Sequence, residues 1–222
     1  ANRAAEQAFG ILGTICWTVQ LIPQVWKSYR DKDTHGLSHW FILLWGISGA
    51  LQGIYVILQR LNIPLMIQPQ LFGFLSFVCW GQCQYYGLKR SRKVAILMTL
   101  GMMIFWGLFE FVFIITLRPM HNRGYHTPAN VFGITSSVTI SVALFPQYWE
   151  IYKCGEVVGI SILFIFVDMM GGVFNDLSLA FKDEFDVIAA VTYTLVIVLD
   201  GAIIVAALIL NPRARRRRRR EA

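Results

Sequence analysis

The stretch Leu21–Ser38, LIPQVWKSYRDKDTHGLS, decides the fold because the chain repeats it as Leu144–Ser161, LFPQYWEIYKCGEVVGIS. Each copy opens with a Pro-Gln dipeptide and closes on Gly-x-Ser, and the two copies lie 123 residues apart without a gap. The register continues beyond them, since Phe41 aligns with Phe164. The sequence therefore predicts two copies of one structural unit.

The composition predicts a membrane protein that crosses the bilayer several times. Of the 222 residues, 56% are hydrophobic and 15% are charged, whereas soluble domains carry about a quarter charged residues. The apolar residues form runs of roughly 20, the length that spans a bilayer core. We expect an all-α membrane protein with seven transmembrane helices at residues 8–26, 38–58, 67–88, 94–117, 129–152, 161–181 and 186–210.

The basic residues predict how these spans are oriented. Fifteen of the 20 Lys and Arg residues fall on the side that holds the loops after spans 1, 3 and 5 and the C-terminus. The positive-inside rule places that side in the cytosol and the N-terminus in the lumen. The basic cytosolic tail, 211–222, contains seven arginines. We expect it to be disordered and favour a role in anchoring and retention on the cytosolic side over nucleic-acid binding. Its alternatives are binding to anionic lipid headgroups or to no particular partner.

The repeat also predicts how the spans are grouped. Spans 1–3 align with spans 5–7, which leaves span 4 as a connector. Three spans reverse the direction of the chain and the fourth restores it, so the repeats run parallel. The expected units are a triple-helix repeat at 8–88, a connector helix at 94–117 and a second triple-helix repeat at 129–210.

These motifs resemble the PQ-loop repeat family, in which two Pro-Gln dipeptides each lead through a short turn to Gly-x-Ser. The resemblance covers about residues 8 to 210. It implies the 3-1-3 arrangement of the SWEET sugar transporters and cystinosin, and a proton-coupled carrier of a vacuolar or lysosomal membrane that moves a small polar solute such as an amino acid. It also implies hinges at Pro23 and Pro146. The KDEL receptor shares the architecture, so a receptor or regulatory protein that does not transport is the alternative.

The chain departs from this family in the second span of each repeat. The family's exporters of basic amino acids carry Gly-Asp-x-x-Asn there. Here the aligned segments are SGALQ, which ends at Gln52, and GGVFN, which ends at Asn175. Gly49 and Gly172 occupy the aspartate position. The resemblance therefore does not carry basic-substrate specificity over to this chain.

Carboxylates inside spans are costly and usually face a cavity or a partner. Asp168 shares a helix face with Gly172 and Asn175, which indicates either a substrate site or close packing through glycines. The first repeat has Trp45 at the Asp168 position, so one solute could lie between a tryptophan and an acid. Asp200 in the last span is a candidate to bind and release a proton.

Four further polar residues lie in or beside the spans. Glu110 lies on the connector span, where a structural pairing is favoured over contact with substrate. Gln82 is a candidate to contact a polar solute. Tyr85 and Tyr86 are typical of the aromatic belt at a membrane surface.

A proline has no N–H to donate to the carbonyl four residues earlier in the helix. Pro23 therefore leaves the carbonyl of Val19 without its usual partner, and Pro146 leaves that of Val142. In lipid such a group needs another partner. We expect Gln24 and Gln147 to bond this loosened backbone in one conformation and release it in another. The alternative is a fixed kink.

No pattern in the chain indicates catalysis. The four cysteines form no CxxC or Cys/His set, so we expect no metal and no cofactor, and a protein that is not an enzyme. The expected partners are a small-molecule substrate, protons and membrane lipid. The sequence leaves a homo-oligomer open.

Overall fold

The computed structural model describes residues 3–60, 63–181 and 187–221, and all regular structure within these ranges is helical. Eight α-helices and one π-helical turn follow one another along the chain. They are α1 (Arg3–Val19), α2 (Leu21–Asp31), α3 (His39–Leu58), α4 (Ile63–Gln82) with the π-helical turn Cys83–Gly87, α5 (Arg92–Asn122), α6 (Thr127–Cys154), α7 (Ile162–Ala180) and α8 (Val187–Glu221).

Six of the helical segments are long and apolar enough to cross a membrane. The first of them, Arg3–Asp31, joins α1 and α2 across a break at Gln20. The six do not include α4, whose 20 residues contain Pro69 and several glutamines. An all-helical membrane protein is therefore confirmed. The described residues contain the seven expected helical segments, and six of these are long and apolar enough to span a membrane.

The helices before α5 and those after it, which we call the first and the second half, contact each other through corresponding elements. In the first half, α4 packs against α1, α2 and α3, and in the second half α8 packs against α6 and α7. Between the halves, α1 packs on α7 and α3 packs on α6. The first helix of each half thus meets the second long helix of the other, while α5 packs against α3, α4 and α6.

The centre of the bundle is filled by aromatic side chains. Trp45 packs against Phe41, Phe72 and Phe164, with ring centroids between 4.6 and 5.4 Å apart. Trp45 is 1% exposed, and Phe41 and Phe164 are fully buried. These rings join α3, α4 and α7, so the two halves share one core cluster.

The arginine-rich tail corrects one expectation. The sequence predicts a disordered segment, but α8 continues through it to Glu221. Asn211 accepts a hydrogen bond from the backbone N–H of Val157 (2.8 Å) and donates one to its carbonyl (3.0 Å). Arg218 forms an ion pair with Glu156. These contacts hold the start of the tail against the α6–α7 loop, and the last turns extend a helix that has already been nucleated.

Candidate functional site

The two motif glutamines form reciprocal hydrogen bonds between the halves. Gln24 donates to the carbonyl of Gly159 (3.0 Å) and accepts from the N–H of Ser161. Gln147 donates to the carbonyl of Gly36 (2.8 Å) and accepts from the N–H of Ser38 (2.9 Å). Both side chains are fully buried. Each glutamine therefore binds the Gly-x-Ser turn of the other half, and we call this pair of contacts the glutamine clamp.

The clamp corrects the expectation that each glutamine bonds the backbone of its own helix. The turn offers both a carbonyl and an N–H, and a primary amide both donates and accepts. A carbonyl freed by proline offers only an acceptor. Gln24 makes one bond within its own helix, a donation to the hydroxyl of Ser28 at 3.1 Å.

The structure explains why each turn has a glycine and a serine at these positions. Ser38 and Ser161 are the N-caps of α3 and α7, and each hydroxyl accepts from the N–H three residues later at 3.3 Å. Gly36 and Gly159 have φ of 82° and 75°, values that favour glycine. A Cβ on Gly159 would lie 2.1 Å from the carbonyl oxygen of His35. The two turns therefore cross in backbone contact.

Two tryptophans link the halves deeper in the bundle. The indole N–H of Trp45 donates to the carbonyl of Ile140 (3.2 Å), and that of Trp17 donates to the carbonyl of Asp168 (3.1 Å). At the offset of 123 residues, position 17 corresponds to 140 and position 45 to 168. The same contact between halves is thus made twice, with the tryptophan on the first helix in one copy and on the second long helix in the other.

A pair of buried carboxyl groups lies in the second half. Asp168 of α7 is 4% exposed, Asp200 of α8 is fully buried, and the two carboxyl groups face each other. Among the described residues, no hydrogen-bond donor outside the pair reaches either oxygen of Asp200. Two facing carboxyl groups in an apolar setting can hold one proton between them. This pair has the chemistry of a site for a proton or another cation.

Side chains from the other helices surround the carboxyl pair. The thiol of Cys16 lies within electrostatic range of Asp168, and the phenol of Tyr148 within range of Asp200. The Tyr148 hydroxyl also donates to the carbonyl of Leu199. The pair is thus enclosed by α1 and α6 as well as by its own helices.

The other predicted solute contacts lie away from this pair or serve packing. Asn175 donates to the carbonyl of Gly171 (2.9 Å) and packs on Gly13, where an added Cβ would come within 2.6 Å of its amide. Gln52 is half-buried on α3. Gln82 donates to the carbonyl of Val25 (3.1 Å) and so ties α4 to α2. Glu110 accepts a hydrogen bond from Gln70, which is the structural pairing that the sequence favours.

Each proline directly precedes a glutamine of the clamp, but the helices at the two prolines differ. The helix breaks at Gln20, three residues before Pro23, whereas α6 runs through Pro146 without a break. Gln20 is 2% exposed, and its side-chain oxygen has no partner among the described residues.

Sequence reasoning missed Trp17, Gln20 and Tyr148. Each is one of many polar or aromatic residues in its span. Comparison of the repeats gives no signal for Trp17, because it aligns with Ile140 and Trp45 aligns with Asp168; the likeness of the two indole contacts appears only in the structure.

Sequence comparison identifies the repeated unit. The chain matches the family model for the PQ loop repeat twice, over residues 5–65 and 128–188, at the spacing that separates the two motifs. An uncharacterized protein of Schizosaccharomyces pombe is 40% identical over 210 residues, which cover 95% of this chain and 74% of the relative. An uncharacterized membrane protein of Saccharomyces cerevisiae is 33% identical over 204 residues, 88% of this chain and 63% of the relative.

A third relative, which matches a shorter part of this chain at lower identity, is named as a transporter. A vacuolar lysine transporter of Saccharomyces cerevisiae is 28% identical over 88 residues, which cover 38% of this chain and 29% of the transporter. The fold and the clamp define a helical membrane protein built on a duplicated unit. The chain belongs to the PQ-loop repeat family.

Proposed function

We propose that this protein transports a small polar solute, an amino acid, across an endomembrane and couples the movement to protons. The observation that carries the proposal is the buried carboxyl pair Asp168 and Asp200, because its position between helices of both halves lets protonation bias their packing. The vacuolar lysine transporter supports the solute class and a vacuolar or lysosomal membrane. The protein is not an enzyme.

The proposed movement is alternating access between two parallel repeats in the 3-1-3 arrangement. The halves rock about Pro23 and Pro146, with α5 as the connector. The glutamine clamp closes the end of the bundle that contains the Gly-x-Ser turns, and its four hydrogen bonds between halves break when that end opens. The basic loops support a cytosolic location for this end and a lumenal N-terminus.

In this mechanism the carboxyl pair and the clamp have separate tasks. Asp168 and Asp200 bind the proton. The aromatic cluster around Trp45 shields the interface between the halves from solvent while the clamp is closed. Asn175, Gln52 and Gln82 remain candidates to contact the solute or to position the helices that do. The proposed partners are the solute, protons and membrane lipid.

The test is flux through the purified protein in proteoliposomes with an imposed pH gradient. Lysine, arginine, histidine, glutamine and leucine serve as radiolabelled probes, and liposomes without protein serve as the control. We expect at least one probe to move faster with the gradient than without it, and a protonophore to abolish the difference. Absence of flux for every probe, together with a thermal shift on adding one of them, would indicate a receptor instead. A flux that is equal with and without the pH gradient would reject proton coupling.

A further inference from the structure

A groove on the outside of the bundle has one polar end and one apolar end. It encloses about 640 Å³ between α4, the π-helical turn and the start of α5. Its apolar walls come from Phe74 and Val78 on one side and Ile96, Leu100 and Met103 on the other. Its polar end is formed by Tyr29, Lys32, Tyr85, Tyr86 and Arg92.

The dimensions of the groove follow from small residues at its floor. Gly81 and Thr99 bring α4 and α5 into contact, since a Cβ on Gly81 would lie 2.1 Å from the Thr99 hydroxyl. From Arg92 to Met103 the groove follows α5 for about 16 Å at 1.5 Å per residue. That length suits one acyl chain of a phospholipid.

The polar end of the groove carries positive charge from Lys32 and Arg92. The ammonium of Lys32 lies 3.4 Å from the centre of the Tyr29 ring and 3.4 Å from the Tyr86 hydroxyl. Aromatic faces hold a cation in place without cancelling its charge. Among the described residues, no carboxylate forms an ion pair with Lys32 or Arg92.

The neighbouring charges strengthen this field. Lys89, Arg90 and Lys93 lie in or beside the turn that leads into α5. Two acids flank Lys32 in the chain. Asp31 pairs with Arg30 at 2.9 Å, and Asp33 accepts from the backbone N–H of His35 at 3.1 Å and keeps its charge. The five cations Lys32, Lys89, Arg90, Arg92 and Lys93 still leave this end positive.

We propose that the groove binds one anionic phospholipid, with its phosphate between Lys32 and Arg92 and one acyl chain along Phe74, Val78 and Leu100. The charge selects the headgroup, and the apolar walls require the attached chain. Tyr29 and Tyr86 offer hydroxyl donors to the phosphate oxygens. The site lies outside the carboxyl pair and does not depend on the proposed transport activity.

The test is native mass spectrometry of the detergent-solubilised protein with added lipid. Phosphatidylglycerol and phosphatidylcholine with identical acyl chains are compared at equal concentration. We expect the anionic lipid to give about tenfold more of the one-lipid adduct. The double variant K32Q/R92Q should lose this preference, whereas K89Q/K93Q, which removes the same charge from the same end outside the groove, should keep it.

Three outcomes would overturn the proposal. Equal binding of both lipids would show that the groove does not select charge. Equal loss in both double variants would indicate diffuse attraction to the basic end instead of a site. Displacement by glycerol phosphate at the concentration of the lipid would show that the headgroup binds without its chain. Lys32 and Arg92 are exposed, so the size-exclusion profile of K32Q/R92Q should match that of the wild type.

Discussion

Trp45 and Phe77 of the first half correspond, at the offset of 123 residues, to Asp168 and Asp200 of the second half. Trp45 is 1% exposed in a cluster of rings, and Phe77 lies against Gly46, where an added Cβ would meet its ring at 2.7 Å. Asp168 and Asp200 face each other instead, and among the described residues no donor outside the pair reaches the carboxyl of Asp200.

The comparison teaches that duplication preserved the contact between the halves while their interiors diverged. The clamp needs the same residues twice, because each glutamine binds the turn of the other half. The interior positions are free of that constraint. One half could therefore become an apolar support and the other a polar site, and the predictions below test this division from the largest expected effect to the smallest.

The carboxyl pair should carry the largest effect. We expect Asp200→Asn and Asp168→Asn each to lower gradient-driven flux by about tenfold or more, because general acid–base groups contribute about 100-fold or more where protons must be exchanged. The measurement is uptake in proteoliposomes with and without the pH gradient. Phe77→Leu, at the matching position of the first half, should retain flux within about twofold. Wild-type coupling in both aspartate variants would reject the assigned role.

A substitution where the two Gly-x-Ser turns cross should have the second-largest effect. We expect Gly159→Ala to lower the free energy of unfolding by about 1–3 kcal/mol for the overlap with His35, in addition to the strain of its positive φ. Gly155→Ala is the matched control, because Gly155 has a φ of 66° and open space at its Cβ. Thermal unfolding in detergent measures both. Equal destabilisation would mean that the close approach of the turns contributes nothing.

Much of this architecture follows from the sequence. The Pro-Gln and Gly-x-Ser repeat predicts the duplicated unit, and the sequence identifies Asp168 and Asp200 as the acids of interest. It does not predict that they face each other, since that depends on the rotation of α7 against α8. Nor does it predict the clamp. A glutamine next to a proline indicates local bonding, and only the packing of α1 on α7 and α3 on α6 brings each turn to the other half's glutamine. The helical tail was also missed, because it depends on contacts between Asn211 and Val157.

The clamp itself should carry a moderate and nearly symmetric effect. Gln24→Leu and Gln147→Leu each leave a partly buried carbonyl and a buried N–H without their partner, so we expect each to lower the free energy of unfolding by about 1–3 kcal/mol. Gln24→Leu should cost slightly more, because Gln24 also donates to Ser28. Gln7→Leu, at an exposed position of α1, is the control for thermal unfolding.

A large difference in destabilisation between Gln24→Leu and Gln147→Leu would contradict the symmetry of the clamp. If one clamp variant were neutral and the other destabilised the protein, the halves would not share the closing contact equally. The break at Gln20, near Pro23 but absent from α6, would then be the first place to look for the cause.

The tryptophan contacts should give the smallest effect and the sharpest test of the division between halves. Trp17→Phe and Trp45→Phe each remove one indole N–H while keeping an aromatic ring, so each should cost about 1 kcal/mol in thermal unfolding. Only Trp17 donates to the backbone of Asp168, so only Trp17→Phe should also change the pH dependence of flux. Trp45→Phe loses the bond to Ile140, in the part of the core without the acids. An equal change of the pH profile in both variants would show that the first half takes part in proton binding, and the assignment of Asp168 and Asp200 as a self-contained pair would then be wrong.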